Sequence, residues 1–173
     1  MKENIYLCII KKDEIIIDQE IIFPSFIKRE ESKKAYTLLK NILEYIGLEF
    51  NINDIKISKY GKPFFKSEII KFNYSHSKNY IAVCVSIDDV GIDIEDDFEI
   101  SKEASKLYLN GLTDNLRYNW VLKEAYFKLK EKFNDSDFIK KDLNNIDVNK
   151  YINDNDKYTC IICYKEEKKV IVL

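Results

Sequence analysis

The sequence predicts an α+β fold built from two similar α/β halves. Two kinds of pattern support this: β-branched apolar runs of strand length, and segments with apolar residues spaced by three and four. The order strand, helix, strand occurs roughly twice, before and after about Ser86, although no sequence repeat accompanies it. We therefore expect an N-terminal half over residues 1–86 and a C-terminal half over residues 87–173.

The N-terminal half opens with two β-branched runs, residues 4–10 and 14–22, separated by three polar residues. This pattern is typical of a hairpin. Apolar side chains at helical spacing then predict an amphipathic helix over residues 28–46, ended by Gly47. Residues 80–86 form a nearly continuous apolar run, as expected of a central strand covered on both faces.

The C-terminal half begins with a strand over residues 90–95, expected to pair with residues 80–86 across a short turn. Ser101 is placed to cap a second helical section, which Gly111 interrupts. A long helix is predicted over residues 114–133.

The last part of the chain has a weaker pattern. Residues 134–156 are rich in Asn, Asp and Lys, which predicts a loop or a weak helix. Residues 157–164 and 169–173 are expected to form a terminal hairpin. Cys160 and Cys163 have CxxC spacing, but in a strand their sulfurs would lie on opposite faces, so they are interpreted as small hydrophobic residues.

Composition limits the possible partners. The 173 residues carry 28 basic and 30 acidic side chains, for a net charge of −2. This balance argues against binding nucleic acid or an anionic membrane through bulk charge, so an anionic ligand would need a local cluster. There is neither a bilayer-length apolar run nor a signal-peptide pattern, and we expect a cytoplasmic protein.

Two carboxylates stand out in the apolar strand over residues 90–95. Asp93 and Glu95 are two positions apart, so they share one face of the strand while Ile92 and Ile94 face the core. Neighbouring carboxylates repel each other unless a cation lies between them. The alternative from these residues alone is an edge strand with solvated acids.

The long predicted helix carries polar and aromatic side chains at helical spacing. Trp120, Lys123, Glu124, Phe127 and Lys128 are expected to share one face. Taken alone, Glu124 and Lys128 would form an exposed i,i+4 pair worth only about 0.3–0.5 kcal/mol.

Three further polar residues lie earlier in the chain. His76 follows Ser75 in a polar segment that is interpreted as a bend, and Lys62 projects from a Gly-Lys-Pro turn. A Ser-His-Ser string does not make a nucleophile and base pair, because sequence neighbours rarely face each other. Hydroxyl, imidazole and turn amide groups do suit a phosphate ligand.

Four stretches occur in one order: Gly61-Lys62-Pro63, residues 72–77 (FNYSHS), residues 91–95 (GIDIE) and residues 120–128 (WVLKEAYFK). Together they resemble the 4'-phosphopantetheinyl transferase superfamily, in its surfactin-synthetase-activating, pseudo-dimeric branch. The signature of that family is a Gly-x-Asp-x-Glu strand followed by a Trp-x-x-Lys-Glu-Ala-x-x-Lys helix. The resemblance is strong from Gly61 to Lys128 and weak outside that range.

The resemblance implies a pseudo-dimeric fold in which each half packs an antiparallel sheet on a long helix. It implies Asp93, Glu95 and Glu124 as Mg²⁺ ligands, and Lys62, Ser75, His76 and Lys128 as the residues that bind coenzyme A. Glu124 is the first candidate for the base, Glu95 competes for that role, and Lys128 would assist the leaving group.

The implied reaction is transfer of 4'-phosphopantetheine from coenzyme A to a serine of an acyl or peptidyl carrier protein, with release of 3',5'-adenosine bisphosphate. Two alternatives share some of these residues: a non-catalytic member that binds coenzyme A or a carrier protein, and an Mg²⁺-dependent nucleotide hydrolase. We expect a monomer with no nucleic acid or membrane partner.

The sequence departs from the family pattern in two places. Asp93 and Glu124 are only 31 positions apart, which is short for this branch and affects the segment expected to meet the carrier protein. After Lys128 the chain reads Leu-Lys-Glu-Lys-Phe, without the glycine that is usual there.

Overall fold

The computed structural model describes residues 3–131 and 135–173 of the chain. Its strands are β1 (Asn4–Lys11), β2 (Ile55–Ile57), β3 (Pro63–Phe65), β4 (Lys71–His76), β5 (Tyr80–Ser86), β6 (Val90–Glu95), β7 (Asn149–Asp154), β8 (Thr159–Tyr164) and β9 (Lys169–Val172). Its helices are α1 (Glu30–Tyr45), α2 (Lys102–Tyr108), α3 (Leu116–Lys130) and α4 (Asp135–Lys140). Short 3-10 turns lie at Lys12–Glu14, Ile52–Asp54 and Leu143–Asn145.

The strands form two main sheets and a small separate pair. The first sheet has the order β4-β5-β1-β9 and the second the order β6-β8-β7, while β2 pairs with β3. Neighbouring strands are antiparallel except for β1 and β9, which are parallel. The fold is thus mixed α/β with antiparallel sheets, which confirms the predicted class at that level.

The two sheets pack face to face, and each carries a long helix on its outer face. Alternate residues of β5 divide between two cores: Val83 and Val85 pack under α1, whereas Ala82 and Cys84 meet residues of the second sheet. The strand β8 divides likewise, with Ile161 under α3. This two-sided burial explains why both strands read as continuous apolar runs.

Several predicted elements are confirmed. The helix expected over residues 28–46 is α1, and Gly47 follows it with φ +76°, as a helix-ending glycine does. The expected central strand is β5, in which every residue is buried. Ser101 caps α2 by accepting the Ala104 amide N–H at 3.1 Å.

The N-terminal hairpin prediction is wrong. Residues 14–22 form no strand, and β1 instead pairs with β5 and β9. Of the isoleucines in this segment, Ile15 is buried, whereas Ile16 and Ile22 are both more than four-fifths exposed. Asp18 instead fastens the segment to α1, through an ion pair between Asp18 Oδ2 and Lys40 Nζ at 2.5 Å.

Two other predicted strand pairings are also wrong. The strands β5 and β6 follow one another across a short turn but belong to different sheets, and they face each other across the shared core. The strand β9 does not return to β8, because it pairs with β1 of the first sheet. Fully apolar strands do not specify a neighbour by pattern alone, since either face can be buried.

The segment predicted to be a loop or weak helix contains α4 and the strand β7. The strand β7 has little sequence signal because it is an edge strand with mostly polar residues. The predicted end of the long helix, at residue 133, lies outside the described residues. Within the described ranges, no helix combines the length and apolar character needed to cross a bilayer.

The four cysteines are free and buried. Cys160 lies in the core between the sheets and Cys163 in the core under α3, so their sulfurs are on opposite faces of β8, as predicted. Burial raises the pKa of the Cys84 and Cys163 thiols to about 12.

Candidate functional site

The helix α3 lies directly against the backbone of β6 at Gly91. A Cβ atom at this position would come closer than 3.0 Å to the Ala125 carbonyl oxygen and the Leu129 amide nitrogen. Only a residue without a side chain allows this approach. The contact sets the helix so that residues of its adjacent turns face the carboxylates that follow Gly91 on β6.

Asp93 is the centre of the polar contacts in this region. Its side chain is buried, and its Oδ1 accepts hydrogen bonds from the Ser75 hydroxyl at 2.7 Å and from Lys128 Nζ at 2.6 Å. Lys128 Nζ also lies 3.5 Å from Glu124 Oε2 and 3.1 Å from Ser75 Oγ. The strands β4 and β6 and the helix α3 therefore meet at one charged cluster.

The cluster holds three carboxylates. Glu95 lies half-buried at the end of β6, where desolvation and then the charges of Asp93 and Glu124 raise its pKa to about 7. Desolvation is also the main cause that raises the pKa of Glu124. Burial disfavours the ammonium form of Lys128, but the carboxylates of Asp93 and Glu124 outweigh this effect and raise its pKa. The site therefore carries an excess of negative charge that one lysine does not balance.

Ser75 and His76 lie at the end of β4 rather than in a bend, which corrects the prediction for this segment. Ser75 is buried and points at Asp93. His76 lines a cleft that Ser75 and Asp93 also line. Desolvation, followed by the charge of Lys12, lowers the pKa of His76. The neutral imidazole is thus favoured.

Lys62 also lines this cleft. Its ammonium donates to the Val90 carbonyl at 3.2 Å and to the Lys128 carbonyl at 3.1 Å, and it forms an ion pair with Glu131 Oε1 at 3.0 Å. The Gly61 turn is thereby joined to both β6 and α3.

All the residues predicted for the site line one cleft of about 420 Å³. Lys62, Ser75 and His76 come from the N-terminal part of the chain, and Asp93, Glu95, Glu124 and Lys128 come from the C-terminal part. The cleft lies where the edge strand β4 of the first sheet meets the edge strand β6 of the second.

Comparison with known proteins gives one informative match, and no family model matches the chain. The chain is 32% identical over 124 residues to the 4'-phosphopantetheinyl transferase gsp of Aneurinibacillus migulanus. The matched protein carries the name of the family that the four sequence motifs resemble. The match covers 60% of this chain and 52% of that relative, so the chain spans about half the length of the transferase that it matches.

The five residues that were predicted to share one face of α3 have different surroundings. Glu124, Phe127 and Lys128 line the cleft, whereas Lys123 is fully buried and donates to the Tyr108 carbonyl at 2.5 Å. Trp120 packs on the same side, against the rings of Phe98, Tyr108 and Phe138. The first half of this motif therefore holds α2 and α4 against α3.

The sequence patterns did not predict two residues that join the two main sheets, Asn73 in the cleft and Asp96 outside it. Asn73 is buried on β4, and its Oδ1 accepts the Ile92 amide N–H at 3.0 Å. Asp96 accepts the amide N–H groups of Lys78 and Asn79 at 3.1 and 3.0 Å, which fastens the β4–β5 turn to the end of β6. The signal available in the sequence was the polar Asn73 between the aromatic residues Phe72 and Tyr74, and nothing comparable marks Asp96.

The donor set at the cleft suits a hard cation such as Mg²⁺. Among the described residues, the buried Asp93 Oδ2 has no hydrogen-bond partner. The neighbouring Glu95 and Glu124 supply further carboxylate oxygens, the ligands that Mg²⁺ prefers. As the side chains lie, Lys128 Nζ contacts both Asp93 and Glu124. In the part of the chain that the structure describes, no three His, Cys, Asp or Glu side chains are arranged as a metal-binding group.

Proposed function

We propose that this protein transfers the 4'-phosphopantetheine group of coenzyme A to a serine of an acyl or peptidyl carrier protein. The observation that carries the proposal is the meeting of Asp93, Glu95, Glu124 and Lys128 with Ser75 and His76 in one cleft. The relatedness to a protein named as a phosphopantetheinyl transferase supports the same activity. We also propose the pseudo-dimeric arrangement of halves over residues 1–86 and 87–173, for which the helix-bearing sheets give support.

The reaction forms one bond and breaks another at the β-phosphorus of coenzyme A. The serine oxygen attacks this phosphorus, the bond to the bridging pyrophosphate oxygen breaks, and 3',5'-adenosine bisphosphate leaves. Such transfers depend mainly on positioning and on neutralising charge.

The carboxylates have two roles in this proposal. Asp93, Glu95 and Glu124 would hold Mg²⁺, which neutralises charge on the pyrophosphate oxygens when it is bound. Glu124 takes the proton of the attacking serine hydroxyl. Without a bound cation, desolvation raises the pKa of both Glu124 and Glu95, which makes each a stronger base than an exposed carboxylate, and Glu95 is the competing base.

The cationic and hydrogen-bonding groups bind the substrate. Lys128 directs its ammonium toward the pyrophosphate and stabilises the charge that develops on the leaving oxygen. Ser75, His76 and Lys62 bind the phosphates at the adenosine end. The strand β4 positions the first two, and the Gly61 turn positions the third.

The partners in this proposal are coenzyme A, Mg²⁺ and a carrier protein, with no nucleic acid or membrane partner. We further propose a monomer that acts in the cytoplasm. The buried free thiols are consistent with a reducing compartment.

A second candidate function is coenzyme A or carrier-protein binding without transfer. It is favoured by one observation: the three contacts of the Lys62 ammonium match its three N–H donors, which leaves none for a phosphate as the side chains lie. The two functions differ in whether a covalent product forms.

The test is mass spectrometry of an apo carrier protein incubated with coenzyme A, Mg²⁺ and this protein. Addition of one phosphopantetheine group, lost in Asp93→Ala and Glu124→Ala but kept in Glu103→Ala, supports the transferase. Glu103 is a matched control because it is an exposed carboxylate on α2 outside the cleft. Absence of any addition with fatty-acid, polyketide and peptide carriers would refute the transferase proposal, and retained coenzyme A binding would then favour the second function.

A further inference from the structure

Glu131 is the residue directly after α3, and it has an unusual backbone conformation. Its φ of 53° lies in the left-handed region, where glycine is favoured and a side chain costs roughly 1 kcal/mol. The conformation closes the helix, because the Glu131 amide N–H donates to the Phe127 carbonyl at 3.0 Å. Because a residue other than glycine is disfavoured at such a position, the contacts of the Glu131 side chain are of interest.

The Glu131 carboxylate lines the candidate cleft and lies 3.0 Å from Lys62 Nζ. The other two acceptors of this ammonium are backbone carbonyl oxygens, of Val90 on β6 and Lys128 on α3. Those oxygens belong to packed elements and are fixed. The Glu131 side chain is 44% exposed and can leave without disturbing the core.

We infer that Glu131 competes with an anionic ligand for Lys62 and thereby weakens the binding of phosphate groups in this cleft. A phosphate oxygen that approaches Lys62 must displace the Glu131 carboxylate and is repelled by its charge. A glycine at this position would present neither obstacle. The inference makes Glu131 a residue that sets affinity for the ligand, and it rests on the proposed function only in taking the cleft to bind phosphates.

The experiment measures binding of inorganic pyrophosphate by calorimetry to the wild-type protein and to Glu131→Gln. The dissociation constant is expected to fall by roughly 1.4- to fivefold in the variant, which corresponds to the roughly 0.2–1 kcal/mol that a solvent-accessible ion pair contributes. Glu68→Gln is the matched control. Glu68 also has a left-handed backbone, with φ 54°, and it pairs with Lys71 at 3.8 Å, outside the cleft.

A second background isolates the contact itself. The gain from Glu131→Gln is expected to disappear when Lys62 is replaced by Met, whereas a general charge effect would persist there. Equal or weaker binding in Glu131→Gln, the same gain in Glu68→Gln, a gain that survives in Lys62→Met, or no pyrophosphate binding to any variant would each overturn the inference.

The outcome of the binding experiment is independent of whether the protein modifies carrier proteins. If Glu131→Gln tightens pyrophosphate binding but no carrier protein is modified, the inference stands and the transferase proposal fails. If carrier proteins are modified while the dissociation constant does not change, the transferase proposal stands and the inference fails.

Discussion

Replacing Gly91 with alanine tests how the site is assembled. The added methyl group would meet the Ala125 carbonyl oxygen, the Leu129 amide nitrogen and the Leu129 Cα, which would lie only 2.9 Å away. These are backbone atoms of one helix, so no side-chain rotation relieves the contact. The helix α3 must move away from β6 by roughly 1 Å to restore ordinary packing distances.

This movement has two measurable consequences. Overpacking of this kind typically costs about 1–3 kcal/mol, and we expect the upper end because backbone must shift. The movement also draws Lys128 and Glu124 away from Asp93, where Lys128 Nζ now lies 2.6 Å from Asp93 Oδ1. A displacement of about 1 Å at a reacting group can lower the rate about 10²-fold.

The assays are urea unfolding followed by circular dichroism, and the carrier-protein mass assay under conditions where the variant is still folded. Gly111→Ala is the matched control: nothing lies within 4 Å of its added methyl group, so only its left-handed backbone, with φ +74°, adds a cost of about 1 kcal/mol. A Gly91→Ala protein as stable and as active as the Gly111→Ala protein would refute this account of the site.

Three further outcomes are expected. Glu124→Gln should lower the transfer rate about 10²- to 10⁴-fold with little change in the free energy of unfolding, and a near wild-type rate would remove Glu124 from the base role. Asn73→Ala should lower the free energy of unfolding by about 1–3 kcal/mol in urea titrations, because it leaves the buried Ile92 amide N–H without its acceptor; an unchanged midpoint would contradict this. The hydrogen bond from Lys40 lowers the pKa of Asp18, so this stabilisation is complete above the unfolded-state pKa of about 3.9 and is lost as pH falls through the folded-state pKa. The free energy of unfolding should therefore fall less with acidification in Asp18→Asn, and parallel pH profiles would contradict the assignment.

The local patterns predicted most of the elements and the grouping of polar residues on β6 and on α3. The strand β6 and the helix α3 have their own periodicity, so spacing alone places Asp93 and Glu95 on one face, and Glu124 and Lys128 on one helix side. The family resemblance joined these two pieces to Ser75, His76 and Lys62. The cleft contains all of them, although their roles as ligands stay predictions.

The strand pairings could not be predicted from local sequence patterns. The strands β5 and β8 are apolar on both faces, and the sequence of such a strand does not indicate which strand it pairs with. The burial of Lys123 was not predicted for a related reason. Helical spacing puts it near Glu124, but the Phe138 ring and the Tyr108 carbonyl that its ammonium contacts belong to other helices. Contacts between elements decide such cases.

The sequence by itself thus determined which side chains share a face of β6 and a side of α3, because spacing along one strand or one helix fixes the direction in which neighbouring residues point. Only the tertiary structure decided how those faces meet. It brought α3 against the bare backbone of Gly91, joined β4 to β6 through Asn73, and placed the Glu131 carboxylate on Lys62. These contacts link residues far apart in the chain, so their geometry depends on packing that no local pattern records.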